Sequence, residues 1–268
     1  MLAFPFPNAC LVRYNRPGMA HRFFIPADRI SGDIISFTDE QRSQLRNVLR
    51  LRAGDSVTAF DGSGREFITE IEALDEKHAV GKVLEIKTPA TEPPVRLTIV
   101  QSLPKGEKID LILQKCTEIG VSEFLITETA RSVPKIDPNK LPGRLDRWHA
   151  VIREAAEQSG RTRLPVVDGI IPFQDALARV KGKDIGLIAW EEETGPTLAS
   201  MLPRLSEARE IAYFVGPEGG FTSDEVAAAK AAGIVPVSLG PRILRTETAA
   251  IVGSALIIYA ANTPAISG

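Results

Sequence analysis

Apolar residues follow two different rhythms along the chain. Up to Lys87 they alternate with polar ones: "DSVTAFDGSGREFITEIEAL" does so on both sides of Asp61-Gly62-Ser63-Gly64. That pattern predicts two short strands joined by a turn. With "HRFFIP" and "AVGKVLEIK" it predicts a small β-rich domain, a compact barrel. "KTPATEPPV", with its prolines and lack of hydrophobic period, reads as an extended linker. Beyond it, "RLTIVQSL", "EFLITET", "IGLIAW", "IAYFV" and "IVPVSLG" are short runs with few alternating polar positions. Helix-like stretches separate them: Lys108 to Ile119, Leu145 to Gln158, Asp224 to Ala232 and Thr248 to Ala261. Such a succession predicts an α/β domain whose mostly parallel sheet is covered on both faces. No internal repeat interrupts it.

Composition narrows the class. The 268 residues are 44% apolar and 25% charged, as in soluble globular proteins. The net charge of −2 gives no overall sign of nucleic acid, so any basic surface must be local. Two cysteines, Cys10 and Cys116, cannot form a disulfide framework and fit a reducing, cytoplasmic setting. Cys116 reads as a small core residue, since no neighbouring base activates it. The histidines are scattered, with no metal-ligand spacing, so no metal is expected. The apolar run Ala249 to Ala261 is shorter than the ~20 residues of a bilayer span, so no membrane is expected either.

Candidate chemistry gathers at strand ends. "YFVGPEGGFTSDEV" leaves an apolar run, turns through Gly216, Gly219 and Gly220, and enters a helix with Thr222 and Glu225 placed as a capping box. Ligands of open α/β sheets lie beyond such strand ends. Glycines there serve either a tight turn or close approach of a ligand to the backbone. The spacing is neither G-x-G-x-x-G nor a Walker loop, and Glu218 would repel a phosphate. In "SLGPRILRTETAA", Gly240 and Pro241 end a strand, and Ile243 and Leu244 are apolar within a loop. Arg245 follows, and Thr246 or Thr248 can cap a long helix. "LIAWEEE" supplies a third strand end with Trp190 and Glu191. The three ends form one crevice only if their strands are neighbours.

Local basic surface occurs twice. "QRSQLRNVLRLR" places Arg42, Arg46 and Arg50 four residues apart on one helix face, either a solvated stripe or a phosphate contact. The span 131–163 has eight Lys/Arg against four Asp/Glu, including Arg131, Lys135, Arg153, Arg161 and Arg163.

In order along the chain, "LRNVLRLRAGDSV", "FDGSGREF", "KGEKIDLILQKCTEIGVSEF", "REAAEQSGRTRLP", "GPEGGFTSDEV" and "LGPRILRTETAA" resemble the RsmE family of ribosomal-RNA uridine methyltransferases. The resemblance runs from about Met19 to Ala261. It implies a PUA-like barrel over 19–88, a linker over 89–94, and a SPOUT-type domain with a C-terminal trefoil knot over 95–268. Residues 1–18 would be an extension. It further implies S-adenosylmethionine as methyl donor, N3 of a uridine in 16S (small-subunit) rRNA as target, the RNA or the assembled 30S subunit as partner, and a homodimer.

By the same resemblance adenine would lie among Leu239, Gly240, Ile243 and Leu244. Gly216, Glu218 and Gly219 would line the ribose and methionine side, Ala189 and Trp190 would close the pocket, and Thr246 counts among the cofactor residues. Arg245 is the first candidate for balancing charge on the uracil oxygens, a phosphate contact or a helix-end salt bridge being its alternatives. Glu218 could accept the N3 proton or fix the loop, as could Glu247. Arg22, Arg42, Arg46, Arg50, Arg131, Arg153 and Arg161 would meet RNA. The last helix, apolar almost all round, is read as buried core or, with the family, a dimer face. Two rivals remain: a non-catalytic RNA-binding ribosome-assembly factor of the same fold, and an α/β enzyme using a nucleotide cofactor, for which the phosphate fingerprint is missing.

Overall fold

A computed structural model describes residues 21–133 and 137–262. The expected extension 1–18, with Cys10, and Lys135 lie outside the described residues. The chain divides into two compact units. One runs up to Ala59 and includes Phe67–Lys87; the other comprises Phe60–Glu66 and the residues from Thr88 onward.

The first unit is built on β1 (Arg22–Phe24), β2 (Ile30–Ser31), β3 (Ile34–Ser36), β4 (Ser56–Phe60), β5 (Glu66–Leu74) and β6 (Ala79–Lys87). They form one sheet in the order β1-β4-β5-β6-β3-β2. Alternation does the sorting: along β5, Phe67, Thr69 and Ile71 are buried while Ile68 and Glu70 are only half-buried. Phe23, Ile25, Ile35, Leu45 and Val57 complete this core.

The helix after β3 departs from expectation. α1 (Asp39–Ser43) starts at a capping box between Thr38 and Gln41, then widens into one π turn over Gln44–Val48. Arg50 lies past its end in the left-handed region, at φ 56°. A stripe at four-residue spacing needs an unbroken α-helix, and the wide turn ends that register. Arg42 and Arg46 are also engaged, the former with Asp39 and the Lys77 carbonyl, the latter with Glu76. The three arginines therefore do not form one helical face.

The second unit holds β7 (Arg96–Ser102), α2 (Lys108–Ile119), β8 (Glu123–Glu128), α3 (Leu141–Ser159), β9 (Val166–Pro172) and α4 (Phe173–Arg179). It continues through β10 (Ile185–Ala189), α5 (Leu198–Leu205), β11 (Glu210–Val215), α6 (Ser223–Ala231), β12 (Val235–Val237) and α7 (Thr246–Asn262). The sheet order is β12-β10-β11-β7-β8-β9, and every pairing is parallel. Both faces are covered. Leu97, Ile99, Leu187, Ile211 and Tyr213 pack with α2, α3, α5 and α7, while Val100, Ile188, Ala212 and Phe214 pack with α4 and α6. β9, α4 and α5 were not in the expected set. β9 is an edge strand broken by Asp168 and Gly169, with only Val167 fully buried, so it lacks the apolar run that marks its neighbours. Among the described residues no helix is long and apolar enough to cross a membrane.

Arg161 is a correction. It is 4% exposed and closes the loop after α3 from inside. Its guanidinium pairs with Glu92 (Nη2 to Oε2, 2.7 Å) and donates to the carbonyls of Thr117 (3.1 Å) and Val121 (2.6 Å). A buried guanidinium with its donors satisfied by protein cannot reach a phosphate. Arg22 on β1 and Arg153 on α3 are half-buried.

α7 is buried on one side only. Gly253 sits against the ring of Tyr213, where a Cβ would overlap the phenol, and the Tyr213 hydroxyl donates to the Ala249 carbonyl (3.0 Å). Cys116 packs beside Ser254, and burial pushes its thiol up to about 12, so it is inert at neutral pH. Val252, Leu256 and Tyr259 form an exposed apolar stripe on the far side.

Candidate cofactor-binding site

The strand order settles whether the three turns meet. β12, β10 and β11 are adjacent and parallel, so the loops after Ala189, Val215 and Val237 leave from the same edge of the sheet. A cavity of about 640 Å³ lies between them, within the range of small-molecule sites.

The glycine turn forms its floor. After β11 the chain runs Gly216-Pro217-Glu218-Gly219-Gly220, closed by the Gly220 N–H donating to the Pro217 carbonyl (2.9 Å). Gly220 has φ +67°, and a Cβ there would overlap the Glu191 carboxylate. A Cβ on Gly216 would lie 3.2 Å from the Gly220 backbone. Both glycines thus serve chain-on-chain approach as well as the opening above them. Gly240 (φ +111°) differs, because no atom lies within 4 Å of where its Cβ would be. That bend faces open space where a side chain would be, while its N–H donates to the Ser238 hydroxyl (3.2 Å) and its carbonyl accepts from it (3.3 Å).

Thr246 ties the loops together. Its hydroxyl donates to the Gly216 carbonyl (2.6 Å) and accepts from Gln101 Nε2 (3.0 Å), both buried contacts. The turn after β11, the end of β7 and the start of α7 are thereby fixed to one another. Thr246 borders the cavity, yet its hydroxyl is occupied by the protein.

Of the residues expected around the cofactor, Ala189, Trp190, Gly216, Glu218, Leu239, Gly240, Ile243, Leu244 and Thr246 line the cavity. Gly219 is not among them. It faces Arg131, whose Nη1 donates to the carbonyls of Gly219 (2.8 Å) and Phe221 (3.3 Å). Arg131, expected on RNA, clamps the glycine turn from behind. Lys108, Glu193, Thr197 and Arg242 also line the cavity and were not anticipated. Lys108 lies more than a hundred residues before the loops it joins, and only folding reveals that.

Charge is organised around Lys108. Glu218 accepts from Lys108 Nζ (2.8 Å) and from the Lys105 N–H (3.1 Å), and Lys108 Nζ lies 3.6 Å from Glu247 Oε2. Burial alone would raise the Glu218 carboxyl, but the Lys108 hydrogen bond, backbone N–H groups and the Lys108 charge outweigh it and hold it below its ordinary value. A carboxylate held so is a poor proton acceptor, and its contacts are those of loop fixing. Lys108 is held above the ordinary lysine value, first by that hydrogen bond, against burial, and then by the charges of Glu218 and Glu247. Arg245 and Arg242 are exposed at the cavity edge, and among the described residues their side chains make no hydrogen bond or ion pair.

Comparison with known proteins matches this architecture. Residues 91–258 match the RNA methyltransferase domain, and residues 37–84 the RNA methyltransferase PUA domain. The chain is 34% identical over 228 residues to ribosomal RNA small subunit methyltransferase E of Bacillus subtilis, covering 84% of this chain and 89% of the relative. A crystal structure of the Neisseria gonorrhoeae ribosomal RNA small subunit methyltransferase E bound to S-adenosyl methionine superposes with TM-score 0.80 at 33% identity, over 88% of this chain and 95% of that one. A methyltransferase from Legionella pneumophila in complex with the same cofactor gives TM-score 0.81 at 28% identity, over 90% and 98%. With motifs, sheet order and cavity in agreement, the chain belongs to the ribosomal RNA small subunit methyltransferase E family.

Proposed function

We propose that the protein methylates N3 of a uridine in 16S (small-subunit) ribosomal RNA, with S-adenosylmethionine as donor. The observation that carries this reading is the cavity formed by three adjacent strand ends, in a chain whose relatives of the same fold hold that donor.

The residues present fit the donor. Leu239, Ile243 and Leu244 offer an apolar slot for a flat ring, and the Gly240 carbonyl, which accepts a long bond from the Ser238 hydroxyl (3.3 Å), has a second lone pair for its polar edge. Trp190 Nε1 is buried without a hydrogen-bond partner among the described residues, leaving a donor on a residue of the wall. Glu191 and Glu193 bring negative charge suited to a cation. When bound, S-adenosylmethionine supplies an electrophilic methyl on a sulfonium that is already activated. The protein's part is to hold the uracil in line and to stabilise the charge that appears when N3 loses its proton. Arg245, with its side chain unengaged at the edge, is placed for that second task.

Arg245→Ala is expected to lower kcat by roughly 100-fold with donor affinity little changed. Calorimetry with S-adenosylmethionine and mass spectrometry of rRNA nucleosides after reaction measure the two quantities. Parent protein that binds no donor would favour the non-catalytic assembly factor instead.

The same reading includes a PUA-like barrel, a C-terminal trefoil knot, work in the cytoplasm where ribosomes assemble, and a homodimer. Support for the dimer is the apolar stripe Val252, Leu256 and Tyr259 on α7, with Tyr259 71% exposed. Tyr259→Glu is expected to shift the protein toward monomer in sedimentation; an unchanged mass would remove α7 from the interface. Arg22, Arg42, Arg46, Arg50 and Arg153 remain the proposed RNA contacts.

A further inference from the structure

Methylating N3 of uracil requires loss of the N3 proton, and the electron pair left behind spreads onto the two carbonyl oxygens of the ring. A fixed hydrogen-bond donor beside one of those oxygens stabilises the anion. Arg245 and Arg242 are exposed, whereas Lys108 is a cation held in place from two sides.

Lys108 opens α2 and lines the cavity. Glu218, from the glycine turn, accepts its hydrogen bond at 2.8 Å; Glu247, from the first turn of α7, stands at 3.6 Å. An ammonium carries three donors. One is used in the hydrogen bond to Glu218 and a second faces Glu247 at 3.6 Å, which leaves one, and the side chain keeps 31% of its exposure. Two carboxylates from the two signature loops therefore anchor a cation that still has a donor for a ligand. Arg147 and Arg179 also bridge two carboxylates, but neither lines the cavity; Lys108 differs in bordering it.

We infer that Lys108 is a catalytic residue, donating a hydrogen bond to a carbonyl oxygen of the target uracil and stabilising its N3 anion, an inference that rests on the uridine-N3 reading above. The N3 proton passes to solvent water. The freed N3 pair then forms the bond to the methyl carbon as the carbon–sulfur pair stays on sulfur, which becomes a neutral thioether. Glu218 and Glu247 act as positioning residues for the ammonium.

The test uses Lys108→Met and Lys108→Arg with small subunits assembled on rRNA transcribed with either uridine or 5-fluorouridine. Fluorine at C5 acidifies N3 and lessens the need for outside stabilisation. With uridine, Lys108→Met is expected to lose roughly 100-fold in kcat, the scale of removing one donor to a developing anion. With 5-fluorouridine the loss should be roughly ten times smaller, with donor affinity within about threefold of the parent and partial recovery in Lys108→Arg. Equal losses on both RNAs, or collapse of donor binding, would mean that Lys108 only holds the loops and would overturn the inference. Full activity of Lys108→Met would do the same while leaving the uridine-N3 reading intact. Parent protein that makes no 3-methyluridine would overturn both.

Discussion

Arg161→Ala lowers the free energy of unfolding by about 3–5 kcal/mol, seen as a lower denaturant midpoint, because it strands a carboxylate that burial has taken from water. Glu92 keeps 19% of its side-chain exposure and Arg161 keeps 5%. The variant also leaves the carbonyls of Thr117 and Val121 without their donor. Acid dependence follows from the same pair. Burial pushes the Glu92 carboxyl up, but the Arg161 hydrogen bond and charge, with the N–H groups of Thr162 and Arg163, bring it below its ordinary value of 4.5. A group whose value is depressed on folding contributes stability that is present above the unfolded value and lost as pH falls through the folded one. The parent should therefore lose stability below about pH 4.5 as this carboxylate protonates, and the variant should lose less there. RNA affinity should not follow the stability change, since the guanidinium is enclosed. A variant as stable as the parent would show that the pair adds nothing.

Gly253→Ala should destabilise where the same change in an exposed helix would stabilise by about 1 kcal/mol. The added Cβ would overlap the Tyr213 ring, which is fully buried and bonded through its hydroxyl to Ala249. Overpacking of this kind costs about 1–3 kcal/mol, and Gly253→Val, with two more carbons, lies at or above the upper end. Because α7 begins at Thr246, which holds the glycine turn, donor affinity should fall together with stability. Shortening the partner relieves the clash: Tyr213→Ala with Gly253→Ala should show a favourable coupling in a double-mutant cycle. Additive losses would mean that ring and helix do not bear on one another.

The sheet and its helices were legible because their signals are local. Two-residue alternation marked β4, β5 and β6; apolar runs marked β7, β8 and β10 to β12; and the capping box at Thr222 and Glu225 fixed the start of α6. Motif resemblance named the residues expected around the cofactor, and the strand order brings them, Gly219 excepted, to one cavity. The arginines were less so. Sequence reports that a guanidinium is positive, not whether a carboxylate or carbonyl from another segment already occupies it. Arg161 meets Glu92, and Arg131 meets the backbone of Gly219 and Phe221, both at long range. Arg50 fell off the expected helix face for a local reason, since one π turn carries no clear composition signal. Lys108 was missed because its two carboxylates follow it by more than a hundred residues.

The Thr246 hydroxyl, shared between Gly216 and Gln101, has a bearing on biosynthesis. A ribosome delivers the chain from its N-terminus, so β7, β10 and β11 emerge before the residue that joins them. Until α7 has been released, one wall is absent and the floor has no clasp. Products halted before that point would lack the clasp and one wall, so the cavity exists only once α7 has been made.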